Sequence, residues 1–251
     1  MTLINLPERP AYYRSRTLRE VVALIRWALL RRDTPDLAHI GMYEEITAGP
    51  VQRDEALLLF ALVRVTRPQT VVEMGFSLGQ SAFNFLRAMD PDARLYSFDV
   101  EPICAGIAAR RFADEPRFAF RARSQDEITR ADLDGRVADL VLIDGAHELA
   151  VNQRTFERLL DVMSPTAVVA VHDTGTVAGR FIEDWRVERS MPERWIGDEY
   201  EHQPAERAFV NWIRAEHPEF AQLHLHTHRT PRHGLTLLQR SAPLPRPPGI
   251  G

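Results

Sequence analysis

The sequence predicts an α/β protein on a doubly wound, mostly parallel sheet, with an N-terminal helical extension and a C-terminal antiparallel hairpin. Three observations predict it. Short, near-continuous apolar runs such as Ala138–Ile143 and Ala167–Val171 alternate with helical stretches, the pattern of parallel strands covered on both faces. Three of these runs end in polar residues, at Asp99, at Asp144 and at His172-Asp173. A glycine-punctuated turn, Gly75-Phe76-Ser77-Leu78-Gly79, follows the first strand and opens a helix, the place where doubly wound sheets bind ligands.

The elements follow in order. Residues 1–16 are polar, with two prolines and two tyrosines, and read as an arm. Residues 17–32 read as a helix, with Thr17 as N-cap and Glu20 completing a capping-box pattern. Residues 33–50 are loop-like. Residues 53–66 place apolar side chains at helical spacing. Strands are expected at Thr70–Met74, Arg94–Phe98, Arg117–Ala122, Ala138–Ile143 and Ala167–Val171, with helices at 81–89, 103–113, 148–163 and 205–216. Leu223–Arg229 and Leu235–Gln239, joined by Thr-Pro-Arg-His-Gly, form the expected hairpin and bring the sheet to seven strands. The expected organisation is thus an N-terminal cap or dimer element over 1–50, a ligand-binding domain over 51–240, and a Pro-rich flexible tail over 241–251.

Composition narrows the chemistry. The chain has 251 residues, long enough to bury a core without staples. Its formal net charge of −4 gives no general basic field for nucleic acid. Cys104 is the single cysteine, so a disulfide within the chain and a Cys-cluster metal site are excluded. All 31 Lys+Arg residues are arginines. A Walker A loop, a kinase lysine, a pyridoxal-phosphate Schiff base and a Ser-x-x-Lys acylase are therefore excluded too. The most apolar N-terminal run, Val21–Leu30, is interrupted by Arg26 and is too short to span a bilayer. It also lacks the order of a signal peptide, so a cytoplasmic protein that does not engage a membrane is expected.

The residues that carry chemistry gather at the strand ends. Glu73, Gly75, Gly79 and Ser81 lie in one strand–turn–helix block. The G-x-x-x-G spacing is not the dinucleotide fingerprint. An acid at Glu73 repels a pyrophosphate and attracts a ligand amino group, and Asp99 is placed to accept hydrogen bonds from ribose hydroxyls. Asp144, with His147 three residues on, and His172-Asp173 after the next strand reach the same edge. Two carboxylates and two imidazoles there offer oxygen ligands for Mg²⁺ and a candidate general base. The same turn reads Gly75-x-Ser77-x-Gly79, which matches a nucleophile elbow that Asp173 and His228 or His233 could complete as a serine hydrolase.

Taken together, Glu-x-Gly-x-x-x-Gly-x-Ser, the acid ending the second strand, Asp-Gly-x-His ending the fourth and His-Asp ending the fifth resemble a class I S-adenosylmethionine-dependent methyltransferase with a Rossmann-like sheet. The nearest types are the small O-methyltransferases of the catechol, caffeoyl-coenzyme A and macrocin kinds. The resemblance covers about residues 50–175. It implies that Glu73 sits by the methionine amino group, that Gly75, Phe76 and Gly79 line the methionine end, and that Ser81 touches the carboxylate. Asp99, with Val100 beside it, would hold the ribose, and Ser124 and Gln125 would lie by the adenine. Asp144, His172 and Asp173 would be the metal set and His147 the base that deprotonates a hydroxyl. The sequence departs from the family in having His172 where the first fifth-strand acid stands, and Ser164-Pro165-Thr166 in place of Pro-Gly-Gly.

The resemblance implies methylation of a small-molecule hydroxyl with S-adenosylmethionine, with Mg²⁺ assistance, and a role in specialised metabolism. A serine hydrolase built on Ser77 and a non-catalytic ligand-binding module are the alternatives. His224, His226 and His228 alternate along one strand, so they share a face, either solvated or metal-binding. Residues 176–204 and 1–50 are expected to shape the acceptor pocket, and the N-terminal helix is a candidate homodimer element.

Overall fold

The computed structural model describes residue 51 and residues 53–175, 204–225 and 234–241. The expectations for the N-terminal arm and helix, for 176–203, for His226, His228 and His233, and for the tail lie outside the described residues.

Helix α1 (Arg53–Thr66) leads into β1 (Thr70–Met74), α2 (Gln80–Ala88), β2 (Arg94–Asp99), α3 (Pro102–Arg111) and β3 (Phe118–Ala122). The chain continues through β4 (Ala138–Ile143), α4 (Leu149–Val162), β5 (Met163–Val171), α5 (Pro204–Glu216), β6 (Phe220–Leu225) and β7 (Leu235–Arg240). The strands form one seven-stranded sheet in the order β3-β2-β1-β4-β5-β7-β6. The pairs from β3 through β5 are parallel, whereas β7 runs antiparallel to both β5 and β6. The expected hairpin is therefore present, with β7 inserted between β5 and β6.

Strand alternation sorts the core into two layers. Val71, Leu95, Leu140, Leu142 and Ala170 pack on one face with Leu59, Val63, Phe85 and Ile107 from α1, α2 and α3. Val72, Met74, Tyr96, Phe98, Val141, Ile143, Val169 and Val171 pack on the other with Phe156 and Leu159 of α4 and Phe209, Val210 and Ile213 of α5. Covering both faces explains why the strands read as unbroken apolar runs. Strand β5 begins four residues earlier than the apolar run. Pro165 is confined to extended φ and pushes Ser164 into the extended region, so the segment stays strand-like while Pro165 and Thr166 are exposed. No helix among the described residues is long and apolar enough to cross a membrane.

Strand order sets where a ligand can sit. From β1 the chain builds outward to β2 and β3, then returns to place β4 on the other side of β1. The crevice at the carboxyl ends of β1 and β4 is the topological switch point, the usual ligand site of such sheets. The glycine turn and Asp144 both stand there.

Candidate active site

The turn after β1 is built around two left-handed glycines, Gly75 (φ 98°) and Gly79 (φ 79°). A Cβ on Gly75 would overlap the backbone carbonyl of Asp144, and one on Gly79 would lie 2.7 Å from the Phe76 ring. The close approach that Gly75 permits is thus between two loops of the protein itself, whereas Gly79 makes room for the Phe76 and Phe112 rings. Phe76 packs its ring against Phe112, Phe118 and Phe120 at centroid separations of 5.9, 5.8 and 5.3 Å. Its N–H and that of Ser77 donate to Asp99 Oδ2 at 3.0 and 2.9 Å, and the Glu101 N–H donates to Oδ1 at 2.9 Å. Asp99 therefore fixes the turn in addition to ending β2. Val100 beside it is exposed.

Glu73 is fully buried beneath this turn, where the Ser97 hydroxyl donates to its carboxylate. Burial dominates its environment and pushes its pKa up to about 8, against the opposing hydrogen bonds from Ser81 and Ser97. The folded state thus holds a proton that the unfolded chain releases near pH 4.5. Stability of the protein without ligand is expected to fall as pH rises between those values, by up to about 1.4 kcal/mol per unit. Thermal melts across that range check it, and Glu73→Gln should flatten the slope.

The turn after β4 is held from three sides. Gln125, in a short 3-10 turn after β3, donates from Nε2 to Asn152 Oδ1 (2.8 Å) and Thr155 Oγ1 (3.0 Å), and accepts the Ala146 N–H at Oε1 (3.0 Å). Asn152 Nδ2 donates to the Ala146 carbonyl at 2.9 Å. A Cβ on Gly145 would strike the Gln125 amide oxygen. The Gln125 side chain is thereby committed to the Asp144–His147 turn, while the neighbouring Ser124 hydroxyl donates to Asp126 at 2.5 Å.

At the end of β5, His172 is almost completely buried among carboxylates. Its Nδ1 lies 2.9 Å from Asp144 Oδ1 and 3.4 Å from Asp173 Oδ1, and its Nε2 lies 2.9 Å from Glu55 Oε2. Burial opposes a charge on this ring, but Asp144, Asp173 and Glu55 outweigh it and hold its pKa well above the ordinary value. Glu55 Oε1 also accepts the Gly234 N–H at 2.8 Å, which ties α1 to the start of β7. Asp173 itself sits at φ 58°, a left-handed strain that tends to collect at functional sites.

The ligand atoms of Asp144, His172 and Asp173 converge within 4.8 Å, as the resemblance implies. Their chemistry nevertheless does not fit Mg²⁺. That ion demands near-octahedral hard oxygen donors, and the third group here is an imidazole with a carboxylate on each nitrogen. The surrounding acids favour the protonated form of His172, which has no lone pair to give a metal and places a positive charge between the two aspartates.

His147 follows on the same turn, with 39% of its side chain exposed. Its Nδ1 lies 2.7 Å from Oε1 of Glu206, a buried acid in the first turn of α5. The hydrogen bond to Glu206 raises the His147 pKa, against a smaller opposing effect of burial, and Asp173 and Asp144 add to the rise.

The structure thus brings Gly75, Asp99, Asp144, His147, His172 and Asp173 to one sheet edge. The imidazoles that a hydrolytic triad on Ser77 would need, His228 or His233, lie outside the described residues. Among the described residues no imidazole hydrogen-bonds the Ser77 hydroxyl, and Asp173 faces His172. His224 lies 2.8 Å from the Thr236 hydroxyl and 2.8 Å from the Arg214 guanidinium. Sequence reasoning missed Glu55, Asn152 and Glu206. Each stands on the apolar stripe of its helix, Glu55 with Leu59 and Val63, Asn152 with Phe156 and Leu159, Glu206 with Phe209, Val210 and Ile213. A lone polar residue at a core-facing position was the signal.

Comparison with known proteins agrees with this geometry. Residues 72–174 match a methyltransferase domain. A curated Mycobacterium sp. (strain JLS) protein, provisionally named an O-methyltransferase, is 36% identical over 106 residues, which is 40% of this chain and 47% of that protein. The chain therefore spans about half the length of the curated relatives it matches. Among solved structures, the O-methyltransferase TomG of Streptomyces achromogenes, involved in tomaymycin synthesis and solved with SAM, aligns with a TM-score of 0.59 at 21% identity, covering 83% of this chain and 89% of that one. An O-methyltransferase from Bacillus cereus solved with SAH aligns with a TM-score of 0.59 at 17% identity, covering 82% and 91%. The chain is thus similar to methyltransferases through residues 72–174 in sequence and across its seven-stranded sheet in fold.

Proposed function

We propose that this protein transfers a methyl group from S-adenosylmethionine to a hydroxyl of a small molecule, with His147 as the base. The observation that carries the reading is the convergence of the Gly75–Gly79 turn, Asp99 and a half-exposed His147 at the switch point of the sheet. The methyltransferase domain over 72–174 and the two O-methyltransferase structures solved with SAM or SAH support it.

When bound, the cofactor supplies a methyl group already activated on a sulfonium. The chain's residues then have three tasks. The turn from Gly75 to Gly79, with Ser81 at the start of α2, holds the amino-acid end over the buried Glu73. Asp99 receives the ribose hydroxyls, because each of its oxygens can accept more than one hydrogen bond, and Val100 and the Ser124–Gln125 backbone border the base. His147 takes the hydroxyl proton and aligns the acceptor oxygen with the methyl carbon, the two contributions a methyltransferase needs. His172, held between Asp144 and Asp173 with its charged form favoured, offsets their charge in the place where a divalent ion would otherwise stand.

Calorimetric titration of S-adenosylmethionine into the full chain tests this, followed by transfer of a labelled methyl group to a panel of phenols, catechols and sugars. Micromolar binding and transfer, both unchanged by EDTA, are expected. No binding would sink the reading, and restoration of lost transfer by Mg²⁺ would overturn its metal-independent form.

A further inference from the structure

We infer that Glu206 is the positioning residue of the His147 base. Its carboxylate fixes the imidazole with the proton on Nδ1 and the lone pair of Nε2 presented to the acceptor hydroxyl. The inference rests on the reading of His147 above and extends it to a residue that lies outside the matched methyltransferase domain, on α5.

The geometry carries it. Glu206 Oε1 is 2.7 Å from Nδ1, a charge-assisted distance. The acid is 5% exposed, whereas the ring it holds is 39% exposed, so one end of the imidazole is anchored inside and the other faces outward. No hydrogen bond to Nε2 is present among the described residues. A free imidazole exchanges its proton between two nitrogens and rotates about its side-chain bonds. A fixed carboxylate at Nδ1 removes both freedoms. It also supports the cation formed in the reaction.

The step balances as follows. The acceptor O–H bond breaks and its proton passes to Nε2. The oxygen electron pair forms the new O–C bond, the C–S pair returns to sulfur, and the sulfonium becomes a neutral thioether. His147 is left as an imidazolium facing Glu206, and later releases the proton to solvent. The groups that face the ring electrostatically are Glu206 on α5, Asp144 on its own turn and Asp173 after β5.

Nitrogen-15 NMR of histidine-labelled full chain reads the arrangement directly, without an acceptor. In the wild type, neutral His147 should show the Nδ1–H tautomer. In Glu206→Gln its pKa should fall by roughly half a unit to one unit, since a neutral partner no longer favours the cation. In Glu206→Ala the tautomer preference should disappear. An Nε2–H tautomer in the wild type overturns the inference and needs no variant. So does a pKa unchanged in a Glu206→Gln protein whose melting temperature and S-adenosylmethionine affinity match the wild type. If cofactor binding fails while the tautomer and shift are found, the methyltransferase reading falls and the Glu206–His147 pair stands. With an acceptor in hand, Glu206→Gln should lower kcat about tenfold to a hundredfold, the scale seen when the carboxylate that orients a metal-bound histidine is lost, with little change in cofactor affinity.

Discussion

His147→Ala should lower methyl transfer by roughly 100- to 10,000-fold while leaving S-adenosylmethionine affinity within about twofold. The range is what a positioned general base contributes. The separation follows from placement. His147 lies at the outer end of the β4 turn, whereas Gly75, Gly79 and Asp99 belong to loops braced by Phe98 and by backbone hydrogen bonds at the β1 and β2 ends. Removing the ring leaves Glu206 alone, where burial already raises its pKa and the lowering effect of His147 is gone, so the buried carboxyl is protonated more readily than in the wild type. The fold is expected to survive with a small drop in melting temperature. Rates with the acceptor found by labelled-methyl screening, with calorimetry of the cofactor, check the result. Transfer that persists at a tenth of the wild-type rate or more would remove His147 from the mechanism.

Gly75→Ala should damage the protein itself. A side chain at φ 98° costs about 1–2 kcal/mol in backbone strain, and the new Cβ meets the Asp144 carbonyl, which is backbone and cannot swing away. Overpacking of that kind adds about 1–3 kcal/mol. The loops after β1 and β4 must then separate, and cofactor binding is expected to be lost. Gly135→Ala is the control. Gly135 has φ 81°, but a Cβ there meets nothing within 4 Å, so it carries the strain without the collision. Denaturant melts of the two variants isolate the steric part, and equal losses of stability would contradict the close approach of the two loops.

How much of this was legible in the sequence depended on the kind of force involved. Strands Thr70–Met74 and Ala138–Ile143 and helix Arg53–Thr66 were read to the residue, because continuous apolar runs and 3.6-residue spacing report burial directly. The start of β5 was misjudged because Ser164-Pro165-Thr166 is polar, and only the φ restriction of proline keeps it extended. Within the site, Asp99, Asp144 and His172-Asp173 were visible because each ends a strand, and His147 because it follows Asp144 on the same turn. Their partners were not. Glu55 stands 117 positions from His172, and Glu206 stands 59 from His147. Local spacing carries no information about contacts that only the assembled sheet creates. The same gap explains His172, which family likeness placed among metal ligands and whose surrounding acids hold its pKa well above the ordinary value. It also explains Gln125, whose amide serves the neighbouring turn.

The insertion of β7 between β5 and β6 has a consequence for biosynthesis. Strands β1 to β5 can pair as soon as they leave the ribosome, because their partners are all upstream of residue 172. The outer edge of β5, from Val168 to Val171, has its partner only in Thr236–Gln239. For the time needed to translate some sixty further residues, it stands as a bare apolar edge, the kind of surface that recruits strands from other chains. Residues 220–225 cannot dock either, because their place in the sheet lies beyond a strand not yet made. A ribosome stalled just before residue 235 would therefore display the five parallel strands with an open seam beside β5, and β7 acts as the closing stave of the nascent protein.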